Sequence, residues 1–186
     1  MPTSSDDGSW DGGQSGPSDS PALPHSAPLP RYRREGLLGR GGMGVVYLSY
    51  DQQLHRWVAL KEALQKGEIS DRLSREAAIT AGLEHPSIVT IHDNGVTEDG
   101  RPYYTMRLLK GRSLSAILSE KHTLKERLSL LRHYVDICDA LAYAHSLGVL
   151  HRDIKPANVM IGGFGETQVV DWGLAFREGV EEVHQE

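Results

Sequence analysis

Two short polar stretches, His151-Arg-Asp-Ile-Lys-Pro-Ala-Asn158 and Asp171-Trp-Gly173, set two acids, an amide and a lysine on loops between apolar segments. Asp153 is a candidate acceptor for a hydroxyl proton, and Lys155 a cation able to offset charge on a group in transfer. Asn158 and Asp171 offer oxygen ligands, the donors that Mg²⁺, a hard cation, prefers. Together these residue types suit the holding of a metal-bound phosphate beside a hydroxyl. The bland alternative is a polar surface loop that caps helices.

A second constellation lies upstream. Gly39-Arg-Gly-Gly-Met-Gly44 sits between two expected strands, Glu35–Arg40 and Val45–Tyr50. Glycines at 39, 41 and 44 carry no Cβ, so backbone N–H groups there can approach a phosphate closely, and Met43 is expected to be exposed. A dinucleotide-binding fingerprint would run from strand into helix, whereas this loop joins strand to strand. Trp57-Val-Ala-Leu-Lys61 alternates as a third strand, with Lys61 on the face of Ala59 and Trp57. Such a lysine is either solvated at a sheet edge or paired with phosphate. The spacing predicts a helix over Ser70–Leu83, capped by Ser70 or Asp71, with Leu73, Glu76 and Thr80 on one stripe. A carboxylate on an inward stripe needs a cation, and Lys61 is the candidate. Glu62 and Glu68 are rivals for that lysine, but neither lies on the stripe.

The remaining pattern supplies elements to hold these groups. Strands are expected at Ile88–His92 and Tyr103–Leu109, joined by a turn at Glu98–Arg101, and Ser113 should cap a short helix after Gly111. Leu124, Leu128, Leu131, Val135, Cys138, Leu141 and His145 recur at helical spacing, predicting one long amphipathic helix that Gly148 ends, with Cys138 in the core. Val149–Leu150, Val159–Ile161 and Gln168–Val170 read as short strands around the polar loops. Residues 1–30, built from Ser, Pro, Gly and Asp, are expected to be a disordered tail because they hold too little apolar surface to offset ordering entropy. The 186 residues carry 25 acids against 20 bases with no basic block, which argues against nucleic acid as a partner. A single cysteine excludes an intrachain disulfide and a Cys-cluster zinc site. No apolar run reaches the roughly 20 residues that span a bilayer, and no signal pattern opens the chain. A cytoplasmic location is therefore expected.

The segments G-R-G-G-M-G-V-V-Y, V-A-L-K, H-R-D-I-K-P-A-N and D-W-G-L-A, taken together, closely resemble the motifs of the eukaryotic-like Ser/Thr protein kinases, and their wording is similar to that of bacterial members. The resemblance runs from about residue 32 to 180. It implies an α+β, two-lobed fold: a five-stranded antiparallel N-lobe sheet with one main helix (about 31–106), a hinge (107–111) and the first part of a mainly helical C-lobe (112–186). By that resemblance the cofactors are ATP and Mg²⁺, and the partner is a protein with a Ser or Thr hydroxyl, including this chain itself, whose tail is rich in serine. Gly39, Gly41 and Gly44 would cover the phosphates, and Lys61, held by Glu76, would contact them. Val46, Ala59 and Met160 would sandwich the adenine, with Met106 behind it and the Leu109 backbone bonded to it. Asp153 would orient and deprotonate the hydroxyl, Lys155 would stabilise the transition state, and Asn158 and Asp171 would hold Mg²⁺. His151 would pack beneath the magnesium loop, and Arg152 is of the type that binds a phosphorylated activation loop. Trp172 stands where the family has phenylalanine. The family pattern continues through an activation loop and further helices, so this chain is expected to be the N-terminal piece of a longer protein that leaves large-lobe core exposed. Two other readings fit: a kinase-like nucleotide-binding or regulatory protein without activity, and a small-molecule phosphotransferase of related fold.

Overall fold

A computed structural model describes residues 31–179. The expectation for the tail at 1–30 therefore lies outside the described residues. In chain order come β1 (Tyr32–Arg40), β2 (Gly44–Asp51), β3 (Arg56–Ala63), α1 (Glu68–Ala81), β4 (Ile91–Val96) and β5 (Pro102–Arg107). The five strands form one antiparallel sheet in the order β1-β2-β3-β5-β4. Interior strand β3 is buried continuously from Val58 to Ala63, including Lys61 and Glu62. Buried charges of that kind need partners. Glu62 takes Arg34 and Arg101, the latter at 2.7 Å, while Lys61 points toward α1.

The second half comprises β6 (Gly111–Ser113), α2 (Leu114–Ser119), α3 (Leu124–Leu128), α4 (Leu131–Ser146), β7 (Val149–Leu150), β8 (Val159–Gly162), β9 (Thr167–Val169) and β10 (Phe176–Arg177). Strands β6, β8 and β9 make a small sheet, and β10 pairs with β7. Ser113 caps α2 as expected, accepting from the Ala116 N–H at 3.2 Å. Gly148, at φ 70°, turns the chain after α4, a left-handed conformation that favours glycine. A single apolar cluster unites the two halves, running from Ile79 and Leu83 through Ile88, Val169 and Trp172 to Ile137, Ala140 and Ala144 of α4.

Several local expectations are corrected. Helix α1 begins at Glu68 with Gly67 at its N-cap (φ 87°), and the Ser70 hydroxyl bonds back to the Gln65 carbonyl at 3.0 Å instead of capping. The fourth strand starts at Ile91, because 87–89 is engaged elsewhere: the Val89 N–H donates to the Val169 carbonyl at 3.2 Å, and the Val169 N–H to Ser87 at 2.8 Å. The expected helix over 124–147 is two helices. Thr123 and Glu126 form a reciprocal capping box on α3, and the Ser129 hydroxyl turns back to Glu126, closing that helix before α4 starts. The buried face of α4 is His133, Ile137, Ala140 and Ala144. Leu124, Leu128, Leu131 and Val135 stand exposed, in line with the expectation that large-lobe core is left uncovered, whereas Cys138, expected in the core, is exposed with them. Small residues at 140 and 144 let α4 approach β7 and β9 closely, and that contact decides which stripe is covered.

Candidate active site

Strand β7 delivers the chain into the polar loop at His151, which is 2% exposed. Its Nδ1 accepts the Asp153 N–H at 3.2 Å, so the ring proton sits on Nε2, which donates to the Val170 carbonyl at 3.1 Å. Burial pushes the imidazole below its ordinary value, and the ring packs on Trp172 at 4.5 Å between centroids. With both nitrogens occupied and the ring neutral, His151 is a strut between two loops. Trp172 fills the apolar slot beneath them at 1% exposure, its indole N–H directed at the Val169 carbonyl, 3.5 Å away. Arg152 and Asp171 adopt φ of 62° and 61°, a conformation that side chains rarely take and that clusters at functional loops. Arg152 donates to the Leu174 carbonyl at 2.8 Å and lies over the Phe176 ring.

Asp153 is gripped by Lys155 at 2.7 Å. That hydrogen bond holds the Asp153 carboxyl below its usual range and raises Lys155. A short 3₁₀ turn, Pro156–Asn158, brings Asn158 back over Asp153, where its amide NH₂ donates to the backbone carbonyl at 2.9 Å and to the carboxylate at 3.1 Å. Those two bonds use the amide nitrogen, so the Asn158 amide oxygen is the candidate ligand atom. Its backbone carbonyl accepts the Val170 N–H at 2.9 Å, which ties the Asn158 loop to the segment bearing Asp171.

From the other side, the Lys61 ammonium reaches both carboxylate oxygens of Glu76 at 2.8 Å and Asp171 at 3.2 Å. Leu73, Glu76 and Thr80 all prove buried, as their shared stripe required. Glu62 pairs on the opposite face, and Glu68 pairs with Arg72 at the surface. Burial pushes the Glu76 carboxyl up, and the Lys61 cation and the Tyr104 hydroxyl pull it back. Tyr104, whose hydroxyl donates to Glu76 at 2.8 Å, was not singled out from sequence. It is the cross-strand partner of Lys61, a relation that only the register of β3 against β5 reveals.

Pairing across β2, β3 and β5 sets Val46 opposite Lys61 and Ala59 opposite Met106. Paired residues and those two apart share a face, so Val46, Ala59, Lys61, Tyr104 and Met106 line one side of the sheet. Leu109, just past β5, and Met160, in β8, are both half-buried. The three glycines differ. A Cβ at Gly39 or Gly41 would meet nothing within 4 Å, whereas one at Gly44 would lie 2.6 Å from the Glu62 carbonyl oxygen. Gly44 thus has a packing reason of its own, the close approach of β2 to β3. Met43 is not exposed as expected: its side chain is half-buried and packs on Gly173 beside Glu76. Cβ-less Gly173 leaves room for it.

The residues gathered here form one candidate site, and the family model described as the protein kinase domain matches residues 32–183. The chain belongs to that family. It is 38% identical over 179 residues to the serine/threonine-protein kinase PknD of Protochlamydia amoebophila, covering 88% of this chain and 18% of that protein. It is also 41% identical over 175 residues to PknD of Chlamydia muridarum, again covering 18% of the relative. The chain thus spans less than a fifth of the length of these curated relatives.

Proposed function

We propose that this protein transfers the γ-phosphoryl group of ATP to Ser or Thr hydroxyls of proteins. The observation that carries the reading is the convergence on Lys61: Glu76 from α1 at 2.8 Å and Asp171 from the distal loop at 3.2 Å meet one ammonium on the face bearing Val46, Ala59 and Met106. Lys61 would hold the α and β phosphates, with the backbone of Gly39, Gly41 and Gly44 above them. The adenine would lie between Val46 and Ala59 on one side and Met160 on the other, against Met106 and the Leu109 backbone. Kinases of this family use ATP with Mg²⁺. Asn158 and Asp171 fit that ion by their donor set, since Mg²⁺ takes one or two protein oxygens and keeps waters, and it would supply charge neutralisation for the phosphates.

Asp153 acts on the acceptor hydroxyl. In the resting arrangement Lys155 holds it ionised. When the Lys155 ammonium turns to the transferring group, Asp153 loses its counter-charge and gains affinity for the hydroxyl proton. The lysine at this position goes with Ser/Thr rather than Tyr acceptors in the family, and serines of residues 1–30 are candidate substrates in the same chain. Among the described residues no helix is long and apolar enough to cross a membrane. A cytoplasmic site of action, where ATP is available, goes with the reading. The test is phosphate transfer from labelled ATP to protein by the chain and by Asp153→Asn. The variant is expected to lose at least about 100-fold; activity that survives the change overturns the mechanism.

A further inference from the structure

Tyr104 is a buried titratable side chain on the active face to which the mechanism above gives no task. It is 3% exposed, and its hydroxyl donates to Glu76 Oε1 at 2.8 Å. Three charged or titratable groups face the Glu76 carboxylate: Lys61 from β3, Tyr104 from β5 and Asp171 from the loop after β9. Asp171 repels it. Lys61 attracts it, but the same ammonium is shared with Asp171 and, in the proposed reaction, with phosphate oxygens. The phenol has no such competitor. Its ring is held in the cluster of Ala63, Leu73 and Ala77, and it projects from the centre of β5, so the hydroxyl has a fixed position relative to the sheet. Lysine, on a four-carbon stem, fixes no position by itself.

We propose that Tyr104 is a positioning residue: its hydroxyl pins the Glu76 carboxylate, and with it α1, in the docked arrangement that presents Lys61 to the nucleotide. The proposal deepens the kinase reading and rests on it. Four chains test it: wild type, Tyr104→Phe, Glu76→Ala and the double variant. Each is followed by amide hydrogen exchange across α1 and by phosphorylation rate against ATP concentration. Loss of a hydrogen bond to a charged group is worth about tenfold or more, so Tyr104→Phe should raise exchange in α1 about tenfold. Because Lys61 would contact phosphate in ground and transition states alike, KM for ATP should rise by a similar factor, with a smaller change in kcat. In the Glu76→Ala background, removing the hydroxyl should change neither quantity further. Unchanged exchange in Tyr104→Phe, or an equal loss in both backgrounds, would overturn the proposal and leave the ring as packing alone. Absence of phosphorylation by the wild-type chain would sink the kinase reading instead, and the exchange measurements would still decide whether Tyr104 pins α1.

Discussion

Trp172→Phe separates the packing of the residue after Asp171 from its chemistry. The indole is 1% exposed, in the cluster that joins α1 to α4, and stacks on His151. Its N–H lies 3.5 Å from the Val169 carbonyl, the outer limit of a hydrogen bond, so losing that contact costs under about 1 kcal/mol. Phenylalanine is smaller by about three ring atoms. A residual void of about 40 Å³ at ~24 cal/mol per Å³ costs about 1 kcal/mol, and the lost apolar burial adds about 1 kcal/mol more. The expected destabilisation is therefore about 2 kcal/mol, a fall of roughly 4–8 °C in Tm for a domain of this size. The backbone of Asp171 is held independently, because the Val170 N–H bonds to Asn158 and the Val170 carbonyl accepts from His151. Phosphorylation measured well below the melting range should accordingly stay within about tenfold of wild type. Unchanged stability would refute the packing estimate. A larger loss of turnover with the fold intact would show that the indole has a role of its own.

The glycines around the loop between β1 and β2 should respond unequally. Gly44→Ala forces a methyl to within 2.6 Å of the Glu62 carbonyl oxygen, so β2 and β3 must separate, at a cost of about 1–3 kcal/mol. Gly41→Ala meets nothing within 4 Å, so its urea midpoint should correspond to a change within about 0.5 kcal/mol; equal midpoints for the two variants would refute the steric argument. Acid should weaken the fold through His151, whose folded-state value burial depresses. Its contribution is fully present above the unfolded value of about 6.5 and is lost as pH falls through the depressed folded value. The urea midpoint should drop between pH 7.5 and 5.5, and His151→Gln should flatten that slope. An unchanged slope would mean that the folded imidazole takes up a proton freely.

The proximity of the candidate catalytic residues was legible in the sequence because their spacing is covalent. Asp153, Lys155 and Asn158 lie within one short loop, and whatever fold the chain adopts, they stay within reach of one another. The stripe on α1 was legible for a similar reason, since helical periodicity alone put Glu76 inward with Leu73 and Thr80. Elsewhere, the outcome depended on contacts between distant segments. On α4, Leu131 and Val135 carry the stronger apolar signal, yet the face that became buried is the one whose small alanines fit against β7 and β9. Cys138 followed that rotation to the surface. Nothing local distinguishes Gly44, required by the Glu62 carbonyl, from Gly41, which faces open space. Tyr104 became the partner of Glu76 through the register of β5 against β3, where a slip of one residue would turn its hydroxyl to the other face of the sheet. Residue types and local spacing determined which chemistry this protein can carry, but only the tertiary structure decided which side chains hold it in place, because register and helix rotation are set by packing between segments far apart in the chain.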